Sequence, residues 1–355
     1  MADKVLVKGN EAIAEAAIKA GCRYFFGYPI TPQTEISAYM AKRMPKIGGV
    51  FLQAESEVSA ANMVYGAAGA GARVMTSSSS PGISLKAEAI SYMAGADLPC
   101  VIINVMRAGP GLGGIQASQS DYFQATKGHG HGDYRLIVLA PSSVQEIVDM
   151  TSEAFDLADI YRTPVMILAD GMIGQMMEPV VFEEKEANKN IPEKTWATVG
   201  TEMKREHNVV NSLYIQPDFL EKLVLERYER YKKIEENEVK YEAYKTDDAE
   251  FVLTAYGSTA RICKNAVDEL RNQGIKAGLI RPITLWPFPY DAYKKHTKNA
   301  KTILTVEMSM GQMVEDVRLA VNGALPVHFF GRTGGNVPYP NEIIDEVKKI
   351  IGGDK

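Results

Sequence analysis

Gly27-Tyr28-Pro29-Ile30-Thr31-Pro32 and Leu52-Gln53-Ala54-Glu55-Ser56-Glu57 stand on either side of a single helix pattern, Thr34–Met44. Each run follows or completes a short apolar strand, Tyr24–Phe26 before the first and Val50–Leu52 in the second, and each leads into a helix. Strand, loop, helix, repeated, is the unit of an open parallel α/β sheet, and such sheets bind ligands at the carboxyl ends of their strands. The first run puts a proline-stiffened loop at such an end, and the second puts an acidic helix start at the neighbouring one.

The same alternation extends in both directions. Upstream, Asn10–Ala20 carries Ile13, Ala17 and Ile18 at helical spacing, with Gly21 as terminator. Downstream come a small-residue helix over Ser56–Ala70, a strand over Arg73–Thr76, a helix over Ser84–Ala94 and a strongly apolar strand over Cys100–Val105. Strands over Leu136–Ala140 and Val165–Ala169 then flank a helix opened by the capping box Ser143-Val-Gln-Glu146. Residues 1–181 are expected to form a doubly wound parallel-sheet domain. Over residues 182–249 apolar strands cease and charge rises, and Leu220, Leu223, Val224, Tyr228, Tyr231 and Ile234 predict a long amphipathic helix across Phe219–Tyr244. Residues 250–355 predict a second, smaller α/β domain, with strands at Phe251–Ala255, Ala277–Ile280, Thr302–Val306 and Val327–Phe330. Its helices are expected at Thr259–Asn272, Gln312–Asn322 and Asn341–Ile351.

At 355 residues, with 46% hydrophobic and 23% charged residues, the composition is that of a globular protein with sizeable cores. A formal charge of -5 without a dense basic run argues against nucleic acid or an acidic membrane surface as partner. No apolar run approaches the ~20 residues that span a bilayer and no leader pattern opens the chain, so a cytoplasmic protein is expected. Cys22, Cys100 and Cys263 stand far apart, whereas iron-sulfur clusters and structural zinc want about four clustered ligands. Buried reduced thiols and no metal site are the expectation.

Four loops are chemically distinctive: Gly27–Pro32, Glu55–Glu57, Ser77–Gly82 and Arg107–Gly114. The first would hold the Thr31 hydroxyl on a stiff support, or be a plain turn. Glu57 sits in the first turn of a helix, where an acid also simply complements the helix dipole behind a Ser56 cap. The serine run Ser77–Ser80 before Pro81-Gly82 could offer amides and hydroxyls to an anion, or be only a turn. Arg107 follows the most apolar strand and would suit a forked grip on a carboxylate, or pair with a neighbouring acid. His129 and His131, two residues apart in a glycine-rich loop, lack a third ligand, which favours a mobile or partner-facing loop over a metal site. Ala169-Asp170-Gly171 with Asn190 is a poor match to a magnesium-diphosphate motif and is set aside.

Taken in order, Gly27-Tyr-Pro-Ile-Thr-Pro32, Glu55-Ser-Glu-Val-Ser-Ala-Ala61, Ser80-Pro-Gly82 and Arg107-Ala-Gly-Pro110 resemble the alpha subunit of 2-oxoacid:ferredoxin oxidoreductases. Tyr256-Gly-Ser-Thr259, Arg281-Pro-Ile-Thr284 and Glu307-Met-Ser-Met-Gly-Gln312 resemble that family's second domain, a transketolase C-terminal-like module, so the likeness covers nearly the whole chain. The resemblance implies that this chain is the pyrimidine-binding half of a thiamine diphosphate site shared with a partner, a diphosphate-binding beta subunit that carries Mg²⁺. It further implies a gamma subunit, a ferredoxin-like iron-sulfur subunit, ferredoxin as electron acceptor and coenzyme A as co-substrate. By the same resemblance Glu57 matches the glutamate that hydrogen-bonds N1' of the aminopyrimidine and promotes proton transfer there. Tyr28, Pro29 and Ile30 would line the cofactor, Thr31 would lie near the 2-oxo group, and Arg107 at the carboxylate. Leu112, within Gly109-Pro-Gly-Leu-Gly113, stands where 2-oxoglutarate members carry a hydroxyl, and with Ser118-Gln-Ser-Asp-Tyr-Phe123 it resembles the branched-chain (2-oxoisovalerate) members. A 2-oxoglutarate or aryl 2-oxoacid enzyme, a non-catalytic scaffold subunit, and a free-standing nucleotide-binding protein using Ser77–Gly82 are the rival readings.

Overall fold

The computed structural model describes residues 4–128, 130–183 and 190–353. The first fifteen elements are β1 (Val5–Lys8), α1 (Gly9–Lys19), β2 (Tyr24–Gly27), α2 (Thr34–Arg43), β3 (Val50–Gln53), α3 (Glu57–Gly69), β4 (Val74–Ser78), α4 (Ser80–Gly95), β5 (Cys100–Met106), α5 (Tyr122–Thr126), β6 (Ile137–Leu139), α6 (Val144–Tyr161), β7 (Pro164–Asp170), α7 (Gly171–Gln175) and β8 (Met177–Val180). The remainder are α8 (Pro217–Asn237), β9 (Tyr241–Tyr244), β10 (Phe251–Thr254), α9 (Gly257–Asn272), β11 (Ala277–Pro282), β12 (Thr284–Trp286), α10 (Tyr290–His296), β13 (Thr302–Glu307), α11 (Met313–Val321), β14 (Val327–Gly331) and α12 (Pro340–Gly353).

Seven strands make the main sheet in the order β12-β6-β7-β5-β4-β2-β3, parallel except at β12. Strands β4, β5 and β7 are buried along their whole length, as parallel strands covered on both faces must be, and β5 and β7 accordingly read as largely apolar runs. α1 packs on α2 and α6, while α3 packs on α4. A second sheet, β14-β13-β10-β11-β9, is parallel except for its edge strand β9. The architecture is the expected doubly wound α/β sheet followed by a smaller α/β module.

Four local expectations need correction. The helix predicted over Phe219–Tyr244 ends at Asn237, and Tyr241–Tyr244 turns antiparallel onto Leu279–Pro282. Its helical face, Tyr231 and Ile234, is buried in the core of the first module, but Tyr241-Glu-Ala-Tyr244 gains more by completing the open edge of the second sheet. The helix predicted from Ser84 begins at Ser80, one turn earlier, because Pro81 suits the first turn of a helix. Thr284–Trp286, bounded by two prolines and too short to show a period, crosses back as β12 to extend the first sheet. β1 and β8, also unforeseen, form a separate antiparallel pair.

Beyond that crossing strand, the two modules share an apolar core in which Val138, Ala140 and Leu168 meet Tyr256, Ile280 and Leu285. A buried ion pair crosses the same seam: Arg281, 2% exposed, grips both carboxylate oxygens of Glu146 and donates to Ala140 O at 3.3 Å. Burial alone would raise the Glu146 carboxyl, but the Arg281 fork and the Ser142 amide hold it below its ordinary range. The capping box is therefore half formed. Ser143 Oγ accepts from the Glu146 amide at 3.1 Å, while the Glu146 side chain serves Ser142 and Arg281 instead.

Candidate active site

α4 starts immediately after β4 and its first turn touches both β5 and α3. Ser80 supplies the contact to β5: its Oγ donates to Asp121 Oδ2 at 2.6 Å and accepts the Arg107 amide at 3.0 Å. Asn104 joins the cluster, donating to Asp121 Oδ2 at 3.0 Å and accepting the Ser80 amide at 3.2 Å. Burial raises the Asp121 carboxyl, and the Ser80 and Asn104 donors offset part of that rise. This fixed base aims the Arg107 side chain, which is 6% exposed. Its Nη1 donates to Thr31 O at 3.1 Å and its Nη2 to Leu112 O at 3.0 Å, while the buried Nε has no partner. Thr31 and Arg107 are thus brought together, although the guanidinium is shared with two loop carbonyls rather than wholly free. The Thr31 loop is held from below: Gln33 donates to Tyr28 O at 3.2 Å and accepts from Ser77 Oγ of β4 at 2.6 Å.

A cavity of about 690 Å³ opens beside Arg107, walled by Ser80, Leu85, Gly109–Gly111, Asp121, Met310 and Gln312 among others. Arg107 is the one cation among the described residues that line it. Tyr28, Pro29 and Thr31 are exposed on the β2–α2 loop, with Ile30 half-buried. Leu112 points outward, 85% exposed, and contributes its carbonyl rather than its side chain to the Arg107 grip.

Gly82 supplies the contact of α4 with α3. A Cβ at Gly82 would lie 2.1 Å from Ser78 Oγ and 2.6 Å from Glu57 Oε1, so the glycine is what lets the Glu57 carboxyl lie against the helix backbone. Glu57 is 5% exposed, and among the described residues no hydrogen-bond donor reaches its carboxylate. The Ser78 hydroxyl beside it is buried without a partner as well, as is that of Ser79. Below them lies Lys86, fully buried, whose Nζ donates to Thr76 Oγ1 at 2.7 Å. Burial pushes the Lys86 ammonium down to about 7, opposed by the Glu57 charge. Lys86 was not among the expected site residues.

Other motifs resolve into structural roles. Glu307 closes β13 and accepts the amides of Gln312, Met313 and Val314 at the start of α11, together with the Ser309 hydroxyl. Gln119, also unforeseen, joins the modules: Thr259 Oγ1 and the Met308 amide donate to its Oε1, and its Nε2 donates to Tyr256 O. Asp170 caps α7 through the Met172 and Ile173 amides and accepts the Ser258 hydroxyl. His131 docks on α4, its carbonyl accepting from Ser91 Oγ at 2.6 Å, whereas His129 lies outside the described residues. Cys22, Cys100 and Cys263 are buried free thiols, and burial pushes the first two up to about 12. No helix among the described residues is long and apolar enough to cross a membrane.

This arrangement was compared with known proteins. The family model for the thiamine-diphosphate-binding region of pyruvate flavodoxin/ferredoxin oxidoreductases matches residues 15–243, and that for core domain II of pyruvate:ferredoxin oxidoreductase matches residues 249–343. The chain belongs to the 2-oxoacid:ferredoxin oxidoreductase family. It is similar to the ketoisovalerate oxidoreductase subunit VorB of Methanothermobacter marburgensis, 51% identical over 98% of both chains. It is also similar to the 2-oxoglutarate synthase subunit KorA of Methanocaldococcus jannaschii, 38% identical over 95% of this chain and 97% of that one. Among solved structures it resembles the 2-oxoglutarate:ferredoxin oxidoreductase of Magnetococcus marinus, with a TM-score of 0.85 at 27% identity, covering 98% of this chain and 65% of that chain. As a member of this family the chain is an oxidoreductase subunit that acts together with partner subunits, and its first module is the thiamine-diphosphate-binding region.

Proposed function

We propose that this chain is the alpha subunit of a cytoplasmic complex that oxidatively decarboxylates a branched-chain 2-oxoacid, 3-methyl-2-oxobutanoate, with coenzyme A to acyl-CoA and CO₂, passing electrons to ferredoxin. The partners in this reading are a diphosphate- and Mg²⁺-binding beta subunit, a gamma subunit and a ferredoxin-like iron-sulfur subunit. We divide the chain at residues 181 and 249, into the cofactor module, a charged connector and the transketolase C-terminal-like module.

The cofactor fits what the α3–α4 corner offers. A carboxyl without a donor among the described residues, the unpartnered Ser78 hydroxyl and a glycine cradle make a polar recess suited to the edge of a nitrogen heterocycle. When bound, thiamine diphosphate supplies a nucleophilic carbon and holds the electrons released with CO₂. We assign to Glu57 the task of holding a proton toward a ring nitrogen, with Tyr28, Pro29 and Ile30 as the loop beside the ring. We assign to Arg107 the substrate carboxylate, using the unpaired Nε–H and the remaining Nη hydrogens, and to the Thr31 hydroxyl the 2-oxo oxygen.

The substrate rests on one observation, the single cation of the Arg107 cavity. A monocarboxylate leaves no charge unpaired there, whereas a dicarboxylate would bring its second carboxylate to a wall of Leu85, Met310, glycines and Asp121. VorB, by its name, serves ketoisovalerate, and the Gly111-Leu112-Gly113 sequence of this chain agrees with an aliphatic substrate. The test is viologen reduction by the assembled complex, under anaerobic conditions with coenzyme A, across 2-oxoacids. 3-Methyl-2-oxobutanoate should give the highest kcat/KM, and a preference for 2-oxoglutarate would refute the substrate assignment.

A further inference from the structure

Residues 118–123 lead into α5 and belong by chain order to the first module, yet most of their hydrogen bonds across the chain run to the second. Ser118 Oγ and the Gln119 amide both donate to Met308 O, at 3.2 and 2.8 Å. Gln312 brackets Asp121, its Nε2 donating to Ser120 O at 2.7 Å and its Oε1 accepting the Phe123 amide at 2.8 Å. The Tyr122 hydroxyl, fully buried, donates to Asp316 Oδ2 of α11 at 2.6 Å. With the Gln119 side chain joined to Tyr256, Thr259 and Met308, each of these residues except Asp121 is tied to the second module. Asp121 reaches the other way. Its carboxylate holds the Ser80 hydroxyl and the Asn104 amide of the first module, and Ser80 Oγ in turn accepts the Arg107 amide. Asp121 is therefore a strut, set in the second module through its neighbours and bearing on the base of Arg107 through its side chain.

We propose that Asp121 is a positioning residue for the carboxylate grip of Arg107, and that the second module fixes that grip through it. The guanidinium reaches substrate from the end of a long side chain, so a displacement of the Arg107 main chain carries the whole fork with it. A fork that binds two oxygens at once tolerates little misplacement. The charge of Asp121 acts against binding: it lines the same cavity as Arg107, where an anion repels a substrate carboxylate. An aspartate there is explained by what it holds and not by what it attracts. The proposal rests on the reading of Arg107 as the residue that meets the substrate carboxylate.

The test is steady-state viologen reduction by the assembled complex, with the KM for 3-methyl-2-oxobutanoate and the KM for coenzyme A measured separately. Asp121→Ala removes the strut and should raise the KM for the 2-oxoacid by about tenfold or more, with a smaller change in kcat and none in the KM for coenzyme A. The sign separates placement from charge, because loss of an anion from the cavity would by itself lower that KM. Asp121→Asn keeps an acceptor for Ser80 and Asn104 and should recover most of the affinity. Tyr122→Phe, kept in case the Asp121→Ala complex does not assemble, lies outside the cavity and releases the segment from Asp316. It should raise the same KM by about twofold to fivefold and add little on top of Asp121→Ala. An unchanged or lowered 2-oxoacid KM in Asp121→Ala, or a parallel rise in both KM values, overturns the proposal while Arg107→Gln still raises the 2-oxoacid KM. If only Tyr122→Phe assembles, an unchanged 2-oxoacid KM in that variant does the same. A wild-type KM in Arg107→Gln would instead overturn the reading of Arg107, and the proposal with it.

Discussion

Two glutamates of this chain sit in the same kind of place and differ in one respect. Glu57 and Glu307 both lie where a parallel strand gives way to a helix, an exposed edge strand for the first and a buried one for the second, and the two residues are 5% and 0% exposed. The Glu307 carboxylate is saturated, with three backbone amides of the α11 start and the Ser309 hydroxyl pointing at its two oxygens. Among the described residues the Glu57 carboxylate has no donor, and it lies against the Gly82 backbone beside the idle Ser78 hydroxyl. A saturated acid of this kind fixes the fold. One left without a donor at the end of its strand is held ready for something that arrives later.

The comparison makes its boldest prediction at Glu57. Glu57→Gln keeps the size and removes the acid, so turnover of the assembled complex should fall by on the order of 10²–10⁴-fold, with its melting temperature unchanged. A variant with full activity would break the contrast and favour a scaffold role for the chain. The converse holds at Glu307. Glu307→Ala strands buried amides at the head of α11 and should cost about 2–4 kcal/mol of stability, seen as a lower thermal midpoint, with the KM for substrate unchanged. Gly82→Ala comes next in size. Its methyl would overlap Ser78 Oγ and Glu57 Oε1, and with Glu57 Cγ also within 3.0 Å the carboxyl must shift along with the serine hydroxyl. An activity loss of about tenfold to a hundredfold is expected, and combined with Glu57→Gln it should add little.

The sequence makes the βαβα alternation plain because β4, β5 and β7 are buried on both faces and their neighbours punctuate cleanly. It also picks out the four strand-end loops, since Thr31, Glu57, Ser80 and Arg107 break the apolar background there. Lys86 was within reach. With the helix begun at Ser80, the stripe Gly82, Ile83, Lys86, Ala89, Ile90, Met93 shows one charge on a buried face, but a start at Ser84 cuts the stripe short and hides it. Gln119 was not within reach, because its partners lie 137 to 189 residues away and nothing local marks the site. The same is true of β12, whose three residues take their state from the edge of a sheet built by another part of the chain.

The smallest predicted effect tests where substrate selection resides. If the side chain of residue 112 read the substrate from within this chain, it would have to face the Arg107 cavity. Instead Leu112 lies 85% exposed and only its carbonyl holds Arg107. Its side chain is not part of the cavity wall, and at such an exposed position a contact is worth little. Leu112→Ser retains the carbonyl and the glycines on either side. It should leave stability and the Glu57-dependent step untouched and lower kcat/KM for 3-methyl-2-oxobutanoate by about twofold to fivefold, through KM, with a smaller change for pyruvate. A loss of a hundredfold or more would mean that the closed complex buries this leucine against the substrate. The specificity contrast would then belong to the loop side chain and not to the lone cation behind it.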